Sequence, residues 1–120
     1  MPDPTAVHLR TTRLHDTLVI HLAGDVDLAT AAPLRAAVRR AFAEATTAVV
    51  LDLADITFFG AEGLALLVES RELADAAGLR VAVVAPGRRV LMPIRATGVD
   101  RVLDVRASLV DALSATAACR

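Results

Sequence analysis

The chain has 120 residues, with 13 basic and 14 acidic side chains for a net charge of −1, and all 13 of the basic residues are arginine. That length holds one domain around one core, and near-neutral charge with scattered arginines argues against nucleic acid as the main partner. Apolar residues make up 55% of the chain, yet charges interrupt every segment well before the roughly 18 residues that a membrane span needs.

The opening residues 1–6 are polar and proline-broken, so a flexible N-terminus without a signal peptide is expected. Residues 7–117 then form the domain, and 118–120 a C-terminal tail. The single cysteine, Cys119, has no internal partner. A disulfide framework is thereby excluded, and the expected setting is the cytoplasm, with no insertion into a membrane.

In chain order, residues 7–14 and 17–23 alternate as two strands around a turn at His15-Asp16, which predicts a β-hairpin. Val19 and His21 share one face of the second strand; Leu18, Ile20 and Leu22 share the other. A polar turn at Asp25-Val26-Asp27 leads to a helix over 30–45, whose buried stripe is Leu34, Ala37, Val38, Ala41, Phe42 and Ala45. The apolar run 48–53 predicts a strand buried on both faces. Near Gly60 it hands over to a helix marked by Leu64, Leu67, Val68 and Leu73, which stops at Ala77-Gly78.

Residues 79–85 read as a fourth strand, and Pro86-Gly87 turns the chain into a short helix carrying Val90, Leu91 and Ile94. Pro93 fits the first turn of that helix and bends it if it lies deeper. A short strand over 102–105 and a final helix over 108–117, with Leu109, Val110 and Leu113 inward, complete the order β-β-α-β-α-β-α-β-α. The fold class is α/β, a mixed sheet with helices packed on it.

The turn around Gly60-Ala61-Glu62-Gly63 is the most informative stretch. Gly60 and Gly63 allow a sharp turn and close helix packing, and Glu62 falls in the first helical turn, where unpaired N–H groups create a positive end. A helix start of this kind suits a phosphate or carboxylate. Gly60-x-x-Gly63 alone is a weak phosphate-loop signal, lacking the Lys-Ser/Thr pair of a nucleotide-binding loop.

Catalytic groups are sparse. His8, His15 and His21 all fall in the opening hairpin and read as strand-surface or turn histidines, and no Cys/His spacing suggests a metal site. Ser70, Ser108 and Ser114 have no plausible base. Asp25, Asp27, Asp52, Asp55 and Glu62 are expected to gather at one pole, where they serve either to bind Mg²⁺ or accept a phosphoryl group on an aspartate, which the lack of any lysine speaks against, or, more simply, as turn-forming and helix-capping residues. No catalytic residue, metal or cofactor is expected.

Three stretches, residues 24–30 (GDVDLAT), 51–64 (LDLADITFFGAEGL) and 97–103 (TGVDRVL), together resemble STAS domains, above all the single-domain anti-sigma-factor antagonists of bacteria. The resemblance spans 7–113, and the element order agrees with it. It implies a partner-switching, non-enzymatic module that binds an anti-sigma factor, usually a GHKL-type serine kinase, and so regulates transcription. The alternative it leaves open is a STAS subunit of an ABC-type lipid-transport complex, docked on its ATPase. A homodimer is also compatible with it.

In that family, phosphorylation of a serine at the helix start blocks binding, and the turn reads Asp-Ser-Ser-Gly or Asp-Ser-Thr-Gly. The corresponding residues here are Gly60, Ala61, Glu62 and Gly63, so the phosphoacceptor position falls on Ala61, which has no hydroxyl. The resemblance implies a partner-binding surface of Asp25, Asp27, Thr30, Gly60, Ala61, Glu62 and Gly63. Thr57, the nearest hydroxyl, precedes two apolar residues and reads as a strand-end packing residue.

Overall fold

The computed structural model describes residues 7–117. The expectations for a flexible stretch 1–6, for the tail 118–120 and for Cys119 fall outside the described residues. The elements are β1 (His8–Leu14), β2 (Thr17–Val26), α1 (Leu28–Ala43), β3 (Ala48–Phe59), α2 (Ala61–Ala77), β4 (Arg80–Val84), α3 (Arg88–Thr97), a 3₁₀ turn (Val99–Arg101), β5 (Asp104–Arg106) and α4 (Leu109–Ala117). Apart from that turn, the order is the one read from the sequence. The five strands lie side by side in chain order, β1 antiparallel to β2 and all later pairs parallel.

The sheet is covered unequally on its two faces. Leu18, Ile20 and Leu22 of β2, Val49, Leu51 and Leu53 of β3, and Val81 and Val83 of β4 face α1, α2 and α3 in the main core. Alternate residues Val19, Val50, Ala82 and Val84 face α4, through Ala112, Leu109 and Leu113, in a smaller core. Helices on both faces explain why β3 and β4 read as unbroken apolar runs. On the β1–β2 side the second face carries polar residues.

Several boundaries shift, each for a physical reason. β2 runs on to Val26 instead of turning at Asp25, because Val26 is fully buried and pairs with Phe59. β3 likewise continues from Leu53 to Phe59. Register shifts at His21/Ala23 and Gly24/Asp25, with Gly24 at φ 103°, break the strict alternation, so Ile56 and Phe59 enter the main core three residues apart. Helix α1 begins at Leu28, two residues before the expected start.

Nearer the C-terminus, Val102 is exposed and β5 moves to Asp104–Arg106, because the 3₁₀ turn uses residues 99–101 and Leu103 is the side chain buried. Val110 is 72% exposed and points away from the sheet, while Ala112 and Thr116 form the buried stripe of α4. Val68 is exposed too, and α2 buries Gly63, Leu66, Leu67, Ser70 and Ala74. Pro93 is the sixth residue of α3, beyond its first turn.

Candidate functional site: two helix starts at the end of β2 and β3

The extensions of β2 and β3 carry the chain to one pole, where α1 and α2 begin. Asp27 caps α1: its Oδ1 accepts the N–H groups of Ala29 (3.0 Å) and Thr30 (3.1 Å), and the Thr30 hydroxyl accepts the Asp27 N–H (3.0 Å). The same hydroxyl donates to the Asp25 carbonyl at 2.8 Å. Such a reciprocal cap satisfies donors that the first helical turn otherwise leaves unpaired. Asp27 and Thr30 therefore hold the helix start in place, whatever else touches them.

The start of α2 is different. Its N-cap is Gly60, and no side chain caps it. The Gly60 N–H donates to the Val26 carbonyl at 3.2 Å, which fastens the second helix start to the end of β2. Gly60 lies at φ −91°, ψ −165°, an extended conformation open to any residue. Gly63 is needed for space, since a Cβ there would lie 2.5 Å from the Phe59 ring.

Ala61 is exposed and Glu62 partly exposed beside this uncapped turn. The structure thus brings together Asp25, Asp27, Thr30, Gly60, Ala61, Glu62 and Gly63, although Gly63 is buried and contributes shape alone. Thr57 departs from its expected packing role. It is exposed, its hydroxyl donates to Asp25 Oδ1 at 2.5 Å, and its carbonyl accepts from Arg89 Nη1 at 3.3 Å.

Two residues of this pole escaped the sequence reading. Leu28 is 82% exposed at the first position of α1, and Phe58 is 52% exposed with its ring edge over Gly60. Their signals were present: Leu28 follows a capping aspartate, and Phe58 alternates with the buried Phe59 on a strand. Both leave a large apolar side chain in solvent beside the two helix starts.

The five-carboxylate pole does not form. Asp52 lies seven residues before the end of β3, roughly 23 Å of strand away, and pairs with His21 on the other face of the sheet. Asp55 pairs in register with Ala23, also short of the helix starts. Among the described residues no group of three or more His, Cys, Asp or Glu side chains could hold a metal ion. His21 is likewise no plain surface residue, since it bonds both Asp52 and Thr12.

One charged cluster holds the two helices together. Glu69 on α2 accepts from Arg35 Nε and Arg39 Nε on α1, each at 2.7 Å. Burial pushes its carboxyl up, but the hydrogen bonds and charges of Arg39 and Arg35 outweigh that and hold it below the ordinary glutamate range. At β5, the Asp104 carboxylate raises Arg106 through a hydrogen bond of 2.6 Å.

Fold and site together define a small α/β domain with two helix starts at one pole, one capped by side chains and one not. A profile of the STAS domain matches residues 8–112, and the chain belongs to that family. It is 31% identical over 114 residues to the anti-sigma-F factor antagonist RsfB of Mycobacterium tuberculosis, covering 95% of this chain and 93% of that one. The crystal structure of an anti-sigma factor antagonist from Mycobacterium paratuberculosis superposes with a TM-score of 0.88 at 29% identity, over 98% and 99% of the two chains. That of a proposed antagonist from Thermotoga maritima gives 0.82 at 15% identity, over 91% and 94%. None of the described helices is long and apolar enough to cross a membrane.

Proposed function

We propose that this chain is a cytoplasmic anti-sigma-factor antagonist, a non-enzymatic module that binds an anti-sigma factor of the GHKL serine-kinase type. The binding surface is the pole formed by residues 25–30 and 60–63, with Leu28 and Phe58 as its apolar contacts. The observation that carries this reading is the uncapped start of α2, with Ala61 exposed beside it and two large apolar side chains flanking it. The family relationship and the names of the relatives support the class of partner.

Residue 61 cannot accept a phosphate, because alanine has no hydroxyl. Binding is then not switched at this position. Glu62 supplies about one negative charge where a phosphate brings about −1.5 to −2, and it is rotated by about 100° from residue 61 around the helix. It stabilises the helix dipole by about 0.3–1 kcal/mol and leaves the surface competent to bind.

The test is capture of the anti-sigma kinase from the host cell by the native chain, Ala61→Ser and Glu62→Ala, each with and without ATP. The native chain should bind under both conditions, and only Ala61→Ser should take up phosphate and release the kinase. Capture of a transport ATPase in place of a kinase would assign the chain to membrane transport. Phosphate on the native chain that releases the kinase would show a different switch.

A further inference from the structure

Three side chains outside this pole form a connected line across β1, β2 and β3. His21 Nδ1 lies 2.8 Å from Asp52 Oδ2, and His21 Nε2 lies 3.2 Å from Thr12 Oγ1. The other Asp52 oxygen accepts the Ala54 N–H at 3.1 Å, so the carboxylate is held from both sides. A carboxylate only accepts, which puts the ring proton of neutral His21 on Nδ1 and leaves the Nε2 lone pair facing the Thr12 hydroxyl. This is the nucleophile–base–orienter order that activates a hydroxyl.

Sheet register builds the line. His21 is opposite Asp52 in the parallel pair, and Thr12 stands one diagonal step away in the antiparallel pair. All three lie on the second face of the sheet, on the side away from α4, which packs over β3, β4 and β5. The His21 and Asp52 side chains are 14% and 16% exposed, shielded enough to be fixed and open enough to be reached. Arg10 sits directly opposite His21, exposed, two residues from Thr12 on the same face. It lines, with His8, His21 and Asp55, a cavity of about 110 Å³ that adjoins the line at His21 and is not lined by Thr12 or Asp52.

We propose that Thr12 is an acyl-acceptor site, modified by an acyl phosphate whose phosphate group is held by Arg10. Thr12 Oγ1 attacks the carbonyl carbon, forming an ester bond as the carbon–oxygen bond to phosphate breaks. The hydroxyl proton passes to His21 Nε2 and from there to the departing phosphate. The products are O-acylated Thr12 and inorganic phosphate, with no redox change. This is one covalent mark per chain, at a place separate from the two helix starts.

The chain is suited to the test because it has no lysine, so acylation of amines is confined to the N-terminus. The full chain is incubated with acetyl phosphate and its peptides are mapped by mass. Acetyl should accumulate on Thr12, be absent from Thr12→Val and persist in Thr12→Ser. His21→Gln and Asp52→Asn should each slow it by about 10²-fold or more, the usual contribution of a general base. Added imidazole should restore the reaction in His21→Ala, and Arg10→Gln should raise the half-saturating acetyl phosphate concentration. Circular dichroism melting confirms that each variant is folded. An unmodified Thr12 in the native chain, a phosphoryl group there instead of acetyl, or equal acetylation in His21→Gln would overturn the proposal.

Discussion

Gly63 and Phe59 meet so closely that no other residue fits at 63 without movement: a Cβ would lie 2.5 Å from the ring. The ring is 6% exposed and part of the main core, so it has nowhere to retreat. Overpacking of this kind costs about 1–3 kcal/mol. Gly63→Ala should therefore lower the unfolding free energy measured in urea by that amount, and Phe59→Leu in the same chain should recover part of the loss.

Gly60 should behave in the opposite way. Its backbone is extended, and the nearest obstacle to a Cβ is the edge of the exposed Phe58 ring at 3.1 Å. A side chain there need only turn that ring. Gly60→Asp should be tolerated and should stabilise α2 by a few tenths of a kcal/mol as a better N-cap. A loss beyond 1 kcal/mol in denaturant titration would mean that Phe58 is held more firmly than its exposure indicates.

Asp27→Ala removes both acceptor contacts of the α1 cap and should cost about 1 kcal/mol. Thr30→Ala removes the return bond and the tie to the Asp25 carbonyl, and should cost a similar amount. Since the two residues serve one cap, the double variant should lose less than the sum of the singles. A double-mutant cycle in urea gives the coupling directly.

Glu69 makes stability depend on pH. Its folded-state value lies below the unfolded one, near about 4.3, so its contribution is complete above that value and is lost as pH falls through the folded value. Arg35 and Arg39 are 49% and 59% exposed, and solvent screening limits the whole cluster to about 0.5–1 kcal/mol. Glu69→Gln should lower the melting temperature at pH 7, and the loss should shrink as pH is lowered through the acid range. An equal loss across that range would point to packing instead of charge.

Leu28→Asp and Phe58→Ser test the proposed surface without touching the core. Both side chains are exposed, so stability should change by less than about 0.5 kcal/mol. Capture of the anti-sigma kinase should fall at least tenfold with either variant. Full capture would place the contact elsewhere on the chain.

Element type and order were legible in the sequence because β3, β4 and the helices carry unmistakable apolar periods. What was not legible came from two sources. The β2–β3 extension hides behind register shifts: Asp52, Ala54 and Asp55 interrupt the apolar run, although Ile56 and Phe59 return to the core. Hence Asp25 and Asp52, which look like neighbours at two strand ends, finish far apart. Apolar character also misled at Val68 and Val110, which face solvent while Ser70 and Thr116 are buried.

Ser70 and Thr116 can be buried because their hydroxyls donate to carbonyls one turn or less back in their own helices. No propensity shows such local satisfaction. The candidate site was proposed from a family pattern at Ala61 and its neighbours. Its apolar rim, Leu28 and Phe58, needed the fold, and so did the line from Thr12 to Asp52, whose members are distant in sequence.

The bond from Gly60 to Val26 fastens the start of α2 to the end of β2, beside the start of α1. On the proposed reading, a partner docking at this pole meets helix starts already tied by hydrogen bonds, which lowers the cost of ordering them. With no hydroxyl at residue 61 to carry a phosphate, occupancy of that surface on the same reading follows mass action between chain and partner. On that reading the number of copies of the chain, set by its synthesis and turnover, tunes how much partner is held.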